Sequence, residues 1–103
     1  MIKMNRKRIA EEFSNSLDYP EIEEIILFGS VARGDDTKDS DIDLLIISGK
    51  KRETKNKIMK KVSEALLESG TYISAKVISK KEYETLKDTH FISTIKKEGV
   101  VLG

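Results

Sequence analysis

The chain contains no cysteine. That absence excludes disulfides, thiolate metal sites and a cysteine nucleophile, and it fits a reducing, cytoplasmic setting. No apolar run approaches the roughly 20 residues that a helix needs to cross a bilayer, so a membrane span is not expected. The N-terminal MIKMNRKRIAEEF is basic but lacks the apolar stretch of a signal peptide, and its acids and periodicity suit a helix. Excess charge of one sign is also missing: 19 Lys and Arg stand against 18 Asp and Glu, for a formal net charge of +1. No overall field therefore favours nucleic acid or an anionic membrane, and much of the charge reads as solvated surface. Internal repeats and low-complexity linkers are absent, and 103 residues suit one domain, 1–103, around one core.

The single proline, Pro20, divides the first segment from the rest. Before it, Ile2, Ile9, Phe13 and Leu17 fall near one face, which predicts a helix over about residues 2–17. Tyr19-Pro20 ends it, since a residue before proline is pushed out of helical geometry. Glu24 to Phe28 is a short apolar run that stops at Gly29, the pattern of a strand entering a tight turn. Residues 34–40 form a polar loop. Asp41 to Ile47 reads as a second strand, and apolar residues on both parities mark it as buried on both faces. After a loop at 48–51, Ile58, Val62, Ala65 and Leu66 give helical spacing from about Glu53 to Ser69, with Gly70 as the stop.

Thr71 to Ser79 is a third strand. Ser79-Lys80-Lys81-Glu82 has the form of a capping box, so a short helix should start there. Phe91 to Lys97 suggests one or two further helical turns, and Val100 to Leu102 a final short strand. The expected fold is α+β, a small mixed sheet with helices packed against it.

One stretch carries chemistry, 28-FGSVARGDDTKDSDIDLLII-47. On a strand, residues two apart point to the same side, so Asp41 and Asp43 share a face while Ile42 and Leu44 take the other. Their Cα atoms should lie roughly 6.5–7 Å apart. Carboxylates so placed repel one another unless a cation lies between them. Oxygen donors of this kind suit Mg²⁺ or Mn²⁺, held by one or two carboxylates together with substrate phosphates and water. An isolated Asp-x-Asp, however, can simply begin a strand with both acids in solvent.

The preceding Gly29-Ser30 turn bears on that choice. Glycine lets the backbone approach a phosphate closely. Free N–H groups at a helix start, with a serine hydroxyl, are donors for phosphate oxygens. The plain alternative is a strand-to-helix turn with Ser30 as N-cap. No P-loop sequence is present, so any phosphate device must be of another kind. Taken together, one loop would cradle a triphosphate and the acid pair would hold a cation against it, which favours in-line attack at phosphorus.

Gly29-Ser30-Val31-Ala32-Arg33-Gly34 followed by Ser40-Asp41-Ile42-Asp43-Leu44 closely resembles the polymerase-β-like nucleotidyltransferase superfamily, in particular its minimal nucleotidyltransferase branch. Length, element order and the C-terminal EGVVL are similar too. The resemblance implies the nucleotidyltransferase fold, with Mg²⁺ as cofactor and an NTP, usually ATP, as substrate. It implies that Asp41 and Asp43 are the catalytic metal ligands and that Gly29 and Ser30 bind phosphate. Arg33 could reach a phosphate, or pair with Asp35, Asp36 or Asp39, and the motif favours the functional role. Members of this branch are often partnered by a HEPN-domain protein, as antitoxins that can transfer AMP to a tyrosine of the toxin.

The chain departs from that pattern at one place. Active members carry a third carboxylate on a later strand, and the matching segment here, Thr71 to Ser79, has none. Alignment puts Lys76 at that position, where its ammonium could pair with Asp41 or Asp43. The alternative is a surface lysine with the strand shifted by a residue or two. Losing one ligand of a two-metal site weakens the clamp on the attacking oxygen while sparing the nucleotide-bound metal. Nucleotide binding is thus the firmer expectation and catalysis the weaker. A catalytically silent module that neutralises a partner by contact is the second reading. A nucleic-acid-directed enzyme is a third, disfavoured by the balanced charge and short length. His90 and the basic run Lys50 to Lys61 read as surface.

Overall fold

The structure, a computed structural model, is described for residues 5–103. Helix α1 runs Arg6–Asn15, with the Asn5 side chain accepting a hydrogen bond from the Arg8 N–H as its N-cap. The predicted start near Ile2 lies outside the described residues. At its other end the helix stops before Tyr19-Pro20, with Ser16 as C-cap and its hydroxyl donating to the Phe13 carbonyl at 2.7 Å.

Strand β1 (Ile22–Phe28) leads into the short helix α2 (Gly29–Arg33), then β2 (Ile42–Ser48). Helix α3 (Lys51–Ser69) ends on Gly70 in the left-handed region, where glycine carries no Cβ penalty. Strand β3 (Ile73–Ser79) is followed by α4 (Lys80–Leu86), α5 (His90–Glu98) and β4 (Val100–Val101). The expected capping box is present: Ser79 accepts from the Glu82 N–H, and Glu82 accepts from the Ser79 N–H. The element order agrees with the sequence reading, and boundaries within the described residues move by at most two residues.

The four strands form one mixed sheet in the order β3-β2-β1-β4. β2 is antiparallel to β1 and parallel to β3, so the two central strands are β1 and β2. Alternation along them separates two apolar layers. On one face Ile25, Leu27, Ile42, Leu44, Ile46, Ile73 and Val77 pack with Ala10 and Phe13 of α1, Val31 of α2 and Ile58 of α3. On the other, Ile26, Leu45, Ile47 and Ile78 pack with Ile92 and Ile95 of α5. β2 is therefore covered on both sides, as its unbroken apolar run predicts. A buried Ser48–Thr54 hydroxyl pair at 2.7 Å ties the end of β2 to the first turn of α3.

The C-terminal segment is held by close backbone approach. A Cβ on Gly99 would lie 2.6 Å from Ile26 Cγ2 and 3.3 Å from the Leu27 carbonyl oxygen, and nearer still to the Ile95 carbonyl. Those neighbours are mostly backbone and cannot yield. Gly99→Ala should therefore lower unfolding stability by about 1–3 kcal/mol, the range for overpacking. A urea melt checks this, and an unchanged midpoint would refute the packing account.

Candidate nucleotide site

Two connections at one end of the sheet build the site. The pairing of β1 with β2 sets Phe28 opposite Asp43. The chain then turns at Gly29 with φ of 78°, a conformation that costs an L-residue about 1–2 kcal/mol. A second constraint acts at the same atom: a Cβ there would stand 3.2 Å from Asp43 Cγ and closer still to Oδ2. The Asp43 carboxylate thus packs directly on the Gly29 backbone. Helix α2 starts at this contact, and its N-cap, Phe28, offers no side-chain hydrogen bond. Ser30 lies inside the helix, so the simple reading of Ser30 as N-cap is corrected.

Asp41 immediately precedes β2 and is exposed, whereas Asp43 is half-buried. Ile42 and Leu44 between and beyond them are fully buried in the opposite layer. Burial, and then the like charge of Asp41, push the Asp43 carboxyl above its ordinary range, and Arg33 partly offsets them. None of the ion pairs among the described residues engages either acid. The pair is an oxygen-only, unneutralised donor set beside a helix start. It fits a hard divalent cation of the Mg²⁺ or Mn²⁺ type.

Arg33 ends α2 at the rim. Its Nε donates to Asp35 at 3.2 Å and its Nη1 to Glu98 of α5 at 3.1 Å. The Asp35 contact was one of the expected options; the link to Glu98, 65 residues away, left no sequence signal. Another residue that sequence reasoning passed over is Arg6. Its guanidinium donates to the Ser40 carbonyl at 2.7 Å and to the Lys38 carbonyl, pinning the loop just before Asp41.

Among the described residues no group of three or more His, Cys, Asp or Glu is placed to hold a metal. The parallel register of β2 and β3 sets Ser74 beside Asp43 and Lys76 beside Leu45. Ser74 and Lys76 therefore lie on the same face as Asp43, and both are exposed. The expected pairing of Lys76 with Asp41 or Asp43 is not among the described ion pairs. Instead its ammonium stands 5.1 Å from the centre of the Phe91 ring. Phe91 meets Phe28 edge to face at 6.1 Å. His90 begins α5 in solvent, and the basic run is partly tied down by Lys51–Glu82 at 2.8 Å and Lys57–Glu21 at 2.9 Å.

Comparison with known proteins identifies the family. Residues 6–102 match the family described as Nucleotidyltransferase domain, and the chain belongs to it. The chain is 35% identical over 102 residues to "Putative protein adenylyltransferase MJ0604" of Methanocaldococcus jannaschii, covering 96% of this chain and 99% of that one. Family and relative together make the chain a nucleotidyltransferase. Two solved structures share its fold. One, a toxin–antitoxin with AMP-PNP, aligns at a TM-score of 0.62 and 14% identity, over 96% of this chain and 73% of that chain. The other, a mutant of the toxin–antitoxin MntA–HpeT, aligns at 0.59 and 14% identity, over 97% and 73%.

Two substitutions separate a site from a strand start. Asp43→Asn removes a half-buried charge repelled by Asp41, so it should raise stability by about 0.2–1 kcal/mol, the scale of an exposed charge pair. It should at the same time lower Mn²⁺ affinity, read by calorimetry. A destabilised variant that keeps full Mn²⁺ affinity would show that Asp43 is merely structural. Gly29→Ala should lose at least about 1–2 kcal/mol from the left-handed backbone alone, as urea unfolding would report.

Proposed function

We propose that the chain transfers AMP from ATP to a hydroxyl of a protein, with Mg²⁺ held by Asp41 and Asp43. We further propose that the acceptor belongs to a HEPN-type toxin for which this chain is the antitoxin. The observation that carries the reading is the Asp43 carboxylate packed on the Gly29 turn. It joins a phosphate-approach element to a cation-holding pair at one point in space. The name of the M. jannaschii relative and the toxin–antitoxin neighbours support the acceptor class.

In this reading the acceptor oxygen attacks the α-phosphorus, the bond to pyrophosphate breaks and the hydroxyl proton leaves to a base. Bound Mg²⁺ supplies charge neutralisation on the phosphates. Gly29 permits the close approach of the phosphates, and the N–H groups and Ser30 hydroxyl at the start of α2 donate to them. Arg33, held at the rim by Asp35 and Glu98, adds positive charge by exchanging a carboxylate partner for a phosphate oxygen. Asp41 and Asp43 fix where the phosphates sit.

One observation favours a second reading, neutralisation by contact without transfer: among the described residues no third carboxylate joins Asp41 and Asp43 in a metal-holding group. Incubation with [α-³²P]ATP, Mg²⁺ and a HEPN-type partner separates the two. Transfer predicts label on the partner that Asp41→Asn and Asp43→Asn abolish, together with loss of neutralisation. No label, with neutralisation intact in both folded variants, would select the contact module.

A further inference from the structure

β3 places two side chains, Ser74 and Lys76, on the face that carries the acid pair. Ile42 pairs with Ile73, Asp43 with Ser74 and Leu45 with Lys76, and residues two apart share a face. Adjacent strands lie about 4.8 Å apart and successive same-face residues about 6.6 Å, so the Cα atoms of Asp43 and Lys76 are about 8 Å apart. That span lies within the combined reach of an aspartate and an extended lysine. Ser74, directly beside Asp43, is neutral.

The charge balance follows from the residues present. Two carboxylates match one divalent cation. A second divalent ion needs further anionic oxygen ligands, and two-metal sites set their ions about 3.5–4 Å apart among shared donors. Where another acid would extend the donor set, this chain has the neutral Ser74 beside Asp43 and, one same-face step further along β3, a cation, Lys76.

The lysine is also available. It is exposed and forms none of the ion pairs among the described residues. Its ammonium rests 5.1 Å from the Phe91 centroid, a weak contact at an exposed position that a phosphate can displace. The resting place is itself part of the site: Phe91 packs at 87° against Phe28, the residue that pairs with Asp43 and precedes Gly29.

We infer that Lys76 is a built-in cation of the nucleotide site, leaving Phe91 to neutralise the nucleotide's phosphates, so that the loaded site holds one divalent ion rather than two. This rests on the nucleotide-binding reading above and names how the site differs from one with three carboxylates. Lys76 acts as a phosphate-binding residue, and its effect is on metal stoichiometry as well as on affinity.

Electron paramagnetic resonance of Mn²⁺ titrated into the whole protein with saturating AMP-PNP counts bound ions. The expected result is one Mn²⁺ per chain for the native sequence and two for Lys76→Asp. Lys76→Ala and Lys76→Gln should keep one ion and bind AMP-PNP at least tenfold more weakly, whereas Lys76→Arg should stay near the native affinity. All four substitutions are at one solvent-exposed position on an edge strand, and circular dichroism confirms the fold of each variant. Two Mn²⁺ in the native chain, or unchanged AMP-PNP affinity in both Lys76→Ala and Lys76→Gln, would overturn the role of Lys76 and leave nucleotidyl transfer standing. Absence of any AMP-PNP binding by the native chain, with or without Mn²⁺, would overturn both.

Discussion

The contact between the Asp43 carboxylate and the Gly29 backbone is the constraint on which the rest of the site depends. It exists because β1 and β2 pair in one register, with Phe28 opposite Asp43. A slip of one residue would turn Asp43 and Asp41 into the α1–α3 layer and bring Ile42 to the surface. Leu27, Leu44, Leu45 and Ile46 are fully enclosed in this register, and a slip would carry both acids into an apolar layer, where a charge is costly. The apolar run after the acids therefore has a purpose beyond stability. It fixes the position of two charges to the precision of a packed sheet.

That placement works against folding. A half-buried carboxylate beside a second acid, without a described ion-pair partner, does not stabilise the fold. The left-handed Gly29 adds a position that only glycine fills without strain. Two locally unfavourable choices at one spot, surrounded by consistent packing everywhere else, are what a binding site looks like energetically. Under the proposed function a divalent ion would remove the repulsion, and phosphate oxygens would satisfy N–H groups that Phe28 leaves without a side-chain cap.

Much of this was legible in the chain because local rules agree with the global fold. An unbroken apolar run on both parities marked β2, the S-x-x-E box marked α4, and Gly70 marked the end of α3. The motif named Gly29, Ser30, Arg33, Asp41 and Asp43, and the structure brings the turn and both acids together. What escaped were contacts between residues far apart in sequence. Arg6 on the Ser40 carbonyl, Arg33 on Glu98 and Lys76 on Phe91 each join elements whose relative placement no window of residues encodes. Gly99 escaped for a related reason: its lack of a side chain matters only because β1 passes so close.

Those long-range contacts share a direction. The site's floor is made by residues 28–43, but its rim comes from the last quarter of the chain. Glu98 holds Arg33, Phe91 holds Lys76, and both belong to α5, which Ile92 and Ile95 seat on the same sheet face that carries Asp43. Gly99 then lets the chain after α5 return to β1 as β4, the strand that flanks the Phe28 end of the sheet. Arg33 and Lys76 thus both touch one helix, by contacts that a phosphate can replace: an exposed ion pair and an exposed cation–π pair. The acids are fixed by β2 while Arg33 and Lys76 are held by α5, so opposite charges stay on separate elements instead of pairing with each other. Under the proposed function a metal-bound triphosphate would bridge that separation, its metal meeting the acids and its oxygens meeting the cations.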